Sequence, residues 1–150
     1  MIHGNGGHAA VVRTFYWDEA WIIGVGDNKA RKREAERHPE RQYGVAVHPT
    51  AFVSPFASIG EGTVVMAGAV IQPHARIGKH CIVNTLASVD HHSVIGDYVH
   101  IAPGAHLCGN VKVGEGSLVG VGTGVAPNTS LPAWSIIKAR RIDVEPLAGG

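Results

Sequence analysis

Four of the ten histidines lie in one short stretch of the sequence: His91, His92, His100 and His106. Histidine is the usual general base in enzymes because its unperturbed pKa, about 6.5, lies close to neutral pH. A neutral imidazole is also a good zinc ligand, so a cluster of histidines could hold a metal instead. This stretch is therefore the first candidate for chemistry, either proton transfer or metal binding.

The elements that must position these histidines follow from a six-residue repeat. Val, Ile or Leu occupies every sixth position from Val47 to Ile137, which gives sixteen consecutive positions without an insertion. A step of six is out of phase with the 3.6-residue period of an α-helix, so the repeat is typical of short strands. Three such strands make a triangular turn of eighteen residues in which the apolar residue points inward. The sequence therefore predicts an all-β fold, a parallel β-helix about five turns long and roughly 24 Å high.

Two further columns of the repeat indicate corners. Four residues after each apolar position stands a mostly small residue, which we expect to point inward where room is limited. Three residues after it the sequence often has Gly or Asn, which tolerate a positive φ and so indicate tight corners. His74, His80 and His92 occupy the same column and are expected to fill corners. His91 stands two residues after Val89, so its side chain is expected to face outward, towards a neighbouring subunit.

Length and composition restrict the remaining possibilities. The chain has 150 residues and a formal net charge of +1, which fits one domain with or without a small appendage and implies no nucleic-acid or acidic-membrane partner. Cys81 and Cys108 are too few for a disulfide framework, and their spacing is no zinc motif. No apolar run reaches the ~18 residues of a membrane span, and glycines interrupt the N-terminus where a signal peptide would be apolar. We therefore expect a cytoplasmic protein.

The first 46 residues do not follow the repeat. A glycine-rich segment, Gly4–Ala9, leads into an apolar run, and Trp21–Val25 is predicted to form a strand. Asp27 and Asn28 are suitable caps for a charged helix over about residues 29–37, whose charges predict a solvated helix face. A glycine turn at the start of a helix can hold a phosphate through backbone N–H groups. From the residues alone, a purely structural turn fits the glycine-rich segment about as well as a nucleotide-binding loop.

Several motifs together resemble one family over nearly the whole chain. They are Gly4-Asn5-Gly6-Gly7-His8-Ala9, Gly26-Asp27-Asn28-Lys29, His48-Pro49-Thr50-Ala51, Val89-Asp90-His91, residues 99–105 and Gly109-Asn110-Val111. With the repeat, they resemble the hexapeptide-repeat acyltransferases, and more narrowly the bacterial sialic acid O-acetyltransferases and the N-acetyltransferases of nucleotide-linked amino sugars. The resemblance implies a left-handed β-helix acyltransferase domain over residues 47–150, preceded by a shortened α/β nucleotide-sugar-binding-like segment over residues 1–46. It also implies a homotrimer, a small-molecule sugar substrate, and acetyl-CoA as co-substrate without a metal.

The resemblance also implies roles for individual residues. His91 matches the general base that takes a proton from the sugar amine or hydroxyl as it attacks the acetyl thioester. Gly109 matches a position whose backbone N–H faces the acetyl oxygen, in an oxyanion-type role. The other implied acetyl-CoA contacts are His100 near the thioester, and Val121 and Ala139 along the pantetheine arm and nucleotide. The implied nucleotide-sugar loop consists of Asn5, Gly6 and Gly7.

The sequence departs from the family pattern in three places. The residue after the base is usually acidic in relatives, but here it is His92. Asp90 is the alternative partner of the base, although its side chain is expected to point the other way along a strand. The N-terminal segment is a few dozen residues shorter than in relatives. The part that is missing would fall between about residues 12 and 23. The C-terminal glycine-rich coil is replaced by basic residues, of which Arg140 and Arg141 are expected to meet the phosphates of CoA.

The leading hypothesis is an acetyl-CoA-dependent sugar acetyltransferase. N-acetyl transfer to a nucleotide-linked amino sugar is favoured over O-acetyl transfer on resemblance alone. A non-catalytic β-helix scaffold is the alternative, because the N-terminal segment is shortened. A zinc-dependent γ-type carbonic anhydrase on the same fold is a weaker alternative that needs three histidines converging between subunits. The five-residue histidine spacing expected for it is missing, since His100 and His106 are six residues apart.

Overall fold

The structure is a computed structural model that describes residues 1–13 and 19–139. A short α/β unit is followed by sixteen strands of two residues each, arranged as a left-handed parallel β-helix. The apolar residue of every repeat is the second residue of its strand, which confirms the predicted period. The elements are β1 (Ile2–His3), α1 (Gly7–Val12), β2 (Ile22–Ile23), α2 (Asn28–Arg37), β3 (Ala46–Val47), β4 (Phe52–Val53), β5 (Ser58–Ile59), β6 (Val64–Val65), β7 (Val70–Ile71), β8 (Arg76–Ile77), β9 (Ile82–Val83), β10 (Ser88–Val89), β11 (Val94–Ile95), β12 (His100–Ile101), β13 (His106–Leu107), β14 (Lys112–Val113), β15 (Leu118–Val119), β16 (Gly124–Val125), β17 (Ser130–Leu131) and β18 (Ile136–Ile137).

The sixteen strands stack into three parallel sheets, one on each side of a triangular prism. Sheet 1 contains β3, β6, β9, β12, β15 and β18; sheet 2 contains β4, β7, β10, β13 and β16; sheet 3 contains β5, β8, β11, β14 and β17. Each strand pairs with the strands one turn away, so that Val89 lies between Ile71 and Leu107. This eighteen-residue register confirms the predicted triangular turn. We name each corner by the two sheets it joins, in chain order: corner 1–2, corner 2–3 and corner 3–1.

The apolar residues of the repeat fill the interior of the prism. From Val65 to Val125, all of them are buried, with no more than 6% of their surface exposed. The small residues of the next column, such as Ala69 and Ala87, are buried beside them at the corners, as predicted. In the first turn Val47 is 39% exposed, because the end of the prism is open.

The corners adopt the positive φ angles that the Gly and Asn column predicts. Histidines expected to fill corners do the same, with φ of 63°, 51° and 60° at His74, His80 and His92. The same conformation occurs at three bulky residues that the sequence does not mark as corners: Leu86, Tyr98 and Trp134. Each of these three amides donates a hydrogen bond to a carbonyl one turn below, at 2.7–2.9 Å. Stacking of the turns therefore holds a conformation that these residues would not adopt alone.

The N-terminal unit packs on the outer face of sheet 1. Strands β1 and β2 pair in parallel, and β2 is shorter than the predicted strand because only Ile22 and Ile23 pair with β1. Ile22 and Val12 form one buried cluster with Val64 and Met66 of the β-helix. In the described ranges, no helix is long and apolar enough to cross a membrane.

Helix α2 begins where the sequence predicts, since the side chain of Asp27 accepts a hydrogen bond from the amide of Ala30 at 2.7 Å. The prediction of a solvated helix face is wrong at Arg31, which is 1% exposed. Its guanidinium donates to the carbonyl of His80 at 2.7 Å and to that of Tyr98 at 2.9 Å. Burial lowers the pKa of Arg31 to about 10, so it remains charged at neutral pH. Arg31 therefore ties α2 to corner 3–1.

Candidate active site

The predicted general base, His91, lies on the surface at corner 2–3. Strand β10 ends at Val89 and the chain leaves it through Asp90, so His91 lies outside the prism and is exposed, as expected. Its Nδ1 lies 3.2 Å from Nδ1 of His92, and the two rings are nearly perpendicular. A hydrogen bond between two Nδ1 atoms requires one ring to donate and the other to accept, so each ring restricts the tautomer of its neighbour.

Gly109 lies one turn above His91 and leaves room for its ring. A Cβ atom at position 109 would lie 2.6 Å from Cε1 and 2.7 Å from Nε2 of His91, closer than real contacts allow. The amide of Asn110 donates to the carbonyl of His91 at 3.0 Å, which holds the two corners in register. The structure therefore places His91 directly against Gly109, which the resemblance assigned to the same site.

Asp90, the alternative partner of His91, is half-buried at the start of the corner. Its amide donates to the carbonyl of Leu107 at 2.9 Å, and its carbonyl accepts from the amide of Ser93 at 3.4 Å. Among the described residues, the carboxylate of Asp90 makes no hydrogen bond to His91. The side chain that orients His91 is instead that of His92.

His100 lies on sheet 1, beneath the N-terminal unit. Its Nε2 is 3.0 Å from Nδ2 of Asn84, while Oδ1 of the same amide accepts from the amide of Thr85 at 2.8 Å. Since the Asn84 NH2 group can only donate, Nε2 of His100 accepts and Nδ1 carries the proton. Burial lowers the pKa of His100 to about 3, with smaller contributions from Arg31 and His8, so the ring is neutral at physiological pH.

A cavity of about 510 Å³ lies between the glycine-rich segment and sheet 1. It is lined by Gly4, Asn5, Gly6, Gly7, His8, Gly24, Val25, Gly26 and His100. Gly24 permits the close approach of α1, since a Cβ there would lie 2.5 Å from that of Ala9. The ring of His8 packs 5.4 Å from that of His100. Sequence reasoning did not select His8, although the glycine-rich motif contains it. The loop assigned to the nucleotide-sugar therefore lines a cavity that also contains His100.

A second cavity of about 330 Å³ adjoins the first and shares Gly26 and His100 with it. Its wall combines residues 27–29, at the start of α2, with Leu118 and Trp134 of the β-helix. Gly26 and His100 thus lie between the two cavities under the N-terminal unit. The two cavities together suit a ligand larger than a single sugar.

Comparison with known proteins agrees with this architecture. Residues 56–90 and 92–127 match the bacterial transferase hexapeptide (six repeats) family. The acetyltransferase domain of PglB from Neisseria gonorrhoeae is 31% identical, with a TM-score of 0.87 over 92% of this chain and 87% of that chain. The chain belongs to the bacterial hexapeptide-repeat transferases.

Two solved structures similar to this hexapeptide-repeat transferase contain ligands, and one curated relative matches it over a shorter stretch. The PglB domain in complex with acetyl coenzyme A is 31% identical, with a TM-score of 0.88 over 95% of this chain and 89% of that chain. PerB from Caulobacter crescentus, in complex with CoA and GDP-perosamine, is 30% identical, with a TM-score of 0.85 over 92% and 84% of the two chains. UDP-N-acetylbacillosamine N-acetyltransferase of Bacillus subtilis is 50% identical over 52 residues, which span 33% of this chain and 24% of that protein.

The predicted site residues fall into three groups on one chain. His91 and Gly109 occupy corner 2–3, whereas His100 lies on sheet 1. The nine-residue step from His91 to His100 is half of an eighteen-residue turn, so the two lie on opposite sides of the prism. Val121 and Ala139 form the third group at corner 1–2, where both are exposed. One chain alone therefore does not bring His91 to the cavity under the N-terminal unit.

Two other expectations concern metal and phosphate ligands. In the part of the chain that the structure describes, no group of three or more His, Cys, Asp or Glu side chains could hold a metal ion. His106 lies on sheet 2, where its Nδ1 is 2.9 Å from the hydroxyl of Ser88. The three converging histidines of a carbonic anhydrase are therefore not gathered within one chain's described residues. Arg140 and Arg141 lie outside the described residues.

Proposed function

We propose that this transferase is an acetyl-CoA-dependent N-acetyltransferase that acts on the amine of a nucleotide-linked amino sugar, with His91 as general base. One observation carries the proposal: His91 is exposed, is bonded through Nδ1 to His92, and holds Nε2 over Gly109. The relatives that share the fold over most of their length support the substrates. They include an acetyltransferase solved with acetyl-CoA and PerB, which was solved with CoA and GDP-perosamine.

The pair of histidines supplies a base in a useful tautomer. When Nδ1–H of His91 donates to Nδ1 of His92, the lone pair of His91 is on Nε2, beside Gly109. A neutral Nε2 takes the proton of the sugar amine as its nitrogen attacks the thioester carbonyl, and can return the proton to the leaving thiolate. His92 is then a positioning residue, in the place where the family resemblance leads us to expect an acidic side chain. Asp90 has no direct part in this arrangement.

Gly109 offers a hydrogen-bond donor next to the base. Its carbonyl accepts from the amide of Asn128 at 3.1 Å, whereas its own N–H has no acceptor among the described residues. An available N–H at this place suits the oxygen that becomes negative in the tetrahedral intermediate. Loss of one such donor typically costs about 10²–10³ in rate. We therefore assign the oxyanion role to the backbone of Gly109.

The two parts of the site meet only between copies of the chain. A second copy whose corner 2–3 faces sheet 1 of the first brings its His91 to the cavity under the N-terminal unit. In a cytoplasmic homotrimer this contact occurs three times, and the three copies form a closed ring. Apolar surface is available for it on sheet 1, where the side chain of Ile136 is 69% exposed. Acetyl-CoA would lie between subunits, with Val121 and Ala139 along its pantetheine arm and nucleotide.

The cavity on sheet 1 is assigned to the nucleotide-sugar. Its volume of about 510 Å³ falls in the usual range for small-molecule sites. Asn5, Gly6 and Gly7 line it and present backbone groups to a phosphate. His100 lies in the same wall as a neutral ring, so it lines the space near the thioester without adding charge there.

Thiol release from acetyl-CoA, measured with a panel of nucleotide-linked amino sugars and with free sialic acid, tests this function. We expect turnover with a nucleotide-linked amino sugar, a product acetylated on nitrogen, and a loss of at least about 10²-fold in His91→Ala. His38→Ala, at the end of α2 and away from corner 2–3, is the matched control and should retain activity. Activity that survives His91→Ala removes the base assignment, and no turnover with any acceptor favours the scaffold hypothesis.

A further inference from the structure

A groove runs beside the pair of histidines at corner 2–3. Phe56, His74 and His92 follow one another on successive turns, and their ring centroids are 5.8 Å and 4.9 Å apart. Beside this stack lies an open groove of about 270 Å³, whose walls also include Ser58 and Arg76. Because His92 contacts the proposed general base, the groove ends at the catalytic pair.

Arg76 gives this groove a fixed positive charge. It is the first residue of β8, exposed on the outer face of sheet 3, with Ser58 below it and Val94 above it in register. Within residues 1–13 and 19–139, Arg76 takes part in no ion pair. No carboxylate belongs to the wall either, since Asp90 lies at the start of the corner one turn above. The guanidinium is therefore available to a ligand.

An anion is the ligand that these walls fit. A guanidinium binds a carboxylate or phosphate through two parallel N–H···O bonds, and it keeps its charge at every physiological pH. The hydroxyl of Ser58 and a ring N–H of His74 or His92 can donate to the remaining oxygens. Several donors thus surround one space, with no negative group of the protein opposite them.

We propose that the groove is an anion-binding subsite for the acceptor, which holds a carboxylate or phosphate group at Arg76. This inference rests on the proposed acetyl transfer, because an anion held here is positioned relative to His91 through the shared wall at His92. Arg76 would then determine specificity. It would select an acceptor whose negative charge, on the sugar ring or in its diphosphate link, lies within reach of the reacting amine.

Steady-state acetyl transfer by Arg76→Gln tests the subsite, with Lys112→Gln as the matched control. Lys112 lies two turns above Arg76 on the same outer face of sheet 3 and is also exposed, so its substitution removes the same charge outside the groove. We expect Arg76→Gln to raise the KM for the acceptor about tenfold, or ~1.4 kcal/mol, with kcat and the KM for acetyl-CoA nearly unchanged. Lys112→Gln should match the wild type. An unchanged acceptor KM in Arg76→Gln, or an equal rise in both variants, overturns the proposal.

Two acceptors separate the possible sources of the negative charge. One is a nucleotide-linked amino sugar with a neutral ring, and the other is a free amino sugar that carries a carboxylate. A rise in KM with the first assigns the groove to a phosphate, and a rise with the second alone assigns it to a carboxylate. Both results support the subsite, whereas a rise with neither overturns it.

A binding measurement without turnover separates this proposal from the acetyl-transfer proposal. The ring signals of His74 and His92 are followed by NMR during titration with inorganic phosphate and, separately, with glucuronate. Saturable shifts are expected in the wild type and in Lys112→Gln, with about tenfold weaker binding in Arg76→Gln. If no acetyl transfer is detected but these shifts depend on Arg76, the anion subsite is supported and the acetyl-transfer proposal fails. Shifts that are equal in Arg76→Gln, or missing in the wild type, overturn it whatever the activity.

Discussion

Gly109→Ala is expected to slow acetyl transfer strongly without unfolding the β-helix. The added Cβ would lie 2.6 Å from Cε1 and 2.7 Å from Nε2 of His91, whereas non-bonded carbon atoms pack at about 3.5–4.0 Å. The exposed imidazole must therefore move by about 1 Å. Its Nδ1 is 3.2 Å from Nδ1 of His92, so a displacement of this size breaks or misaligns the hydrogen bond that orients it.

The size of the effect follows from this displacement. A misplacement of about 1 Å at a reacting group costs roughly 10² in rate, which corresponds to ~2.7 kcal/mol of activation free energy. Gly109 does not adopt a positive φ, so alanine introduces no backbone strain. The free energy of unfolding should therefore change by less than about 1 kcal/mol. Thiol release gives kcat, and thermal unfolding of the same preparation gives the stability.

Two controls make this test specific. Gly124→Ala places a methyl group in open space on sheet 2 and should leave kcat unchanged. In a His91→Ala background, Gly109→Ala should cost nothing further, because the ring that it displaces is gone. A Gly109→Ala protein with the kcat of the wild type would refute the reasoning, and an additional loss in the double variant would point to a separate role for Gly109.

Three further predictions concern the hydrogen bond to the base, the buried arginine and acid stability. His92→Asn keeps a hydrogen-bond acceptor near the position of Nδ1, and Asn already occupies the same corner column at positions 110 and 128. This variant should therefore retain most of kcat. His92→Phe, which has no acceptor, should lose about tenfold or more in kcat. Equal values of kcat for the two variants would exclude the positioning role. Arg31→Met should lower the free energy of unfolding in denaturant by at least about 2 kcal/mol, since it leaves the carbonyls of His80 and Tyr98 without donors at about 1–3 kcal/mol each. Arg33→Met, exposed on the same helix, should change it little. Burial lowers the pKa of His100 to about 3 and that of His80 to about 4, so below pH 6.5 the unfolded chain binds protons that the folded chain does not. The free energy of unfolding should fall as the pH decreases from about 6.5 to 3, and it should fall less in His100→Asn. If the wild type and His100→Asn lose equal amounts of stability between pH 7.5 and pH 4.5, the lowered pKa of His100 is contradicted.

The six-residue period predicts the β-helix well because one inward residue per strand determines which face is buried. The apolar residues from Val65 to Val125 are buried as that pattern requires. The corners are predicted only where Gly, Asn or the three histidines occupy them. At Leu86, Tyr98 and Trp134, hydrogen bonds from the neighbouring turn hold the positive φ, and such bonds leave no mark in the local sequence.

The candidate site is predictable in its residues but less so in its placement. The exposure of His91 follows from its position in the repeat, and half a turn between it and His100 indicates opposite sides of the prism. The burial of Arg31 has no comparable signal, because the carbonyls that it binds belong to residues 49 and 67 positions further along the chain. A run of charged residues in the sequence does not indicate which basic side chain will be buried against distant carbonyl groups.

Subunit mixing tests most directly whether one active site takes its base and its acceptor cavity from two copies of the chain. His91→Ala removes the base, and Gly6→Glu adds a carboxylate to the cavity at a position with open space around it. Each variant alone should be inactive. Trimers assembled from equal amounts of both should recover about one quarter of wild-type activity, because a site works when its base and its loop both come from intact copies. Activity no greater than the sum of the two separate variants would contradict a site shared between subunits.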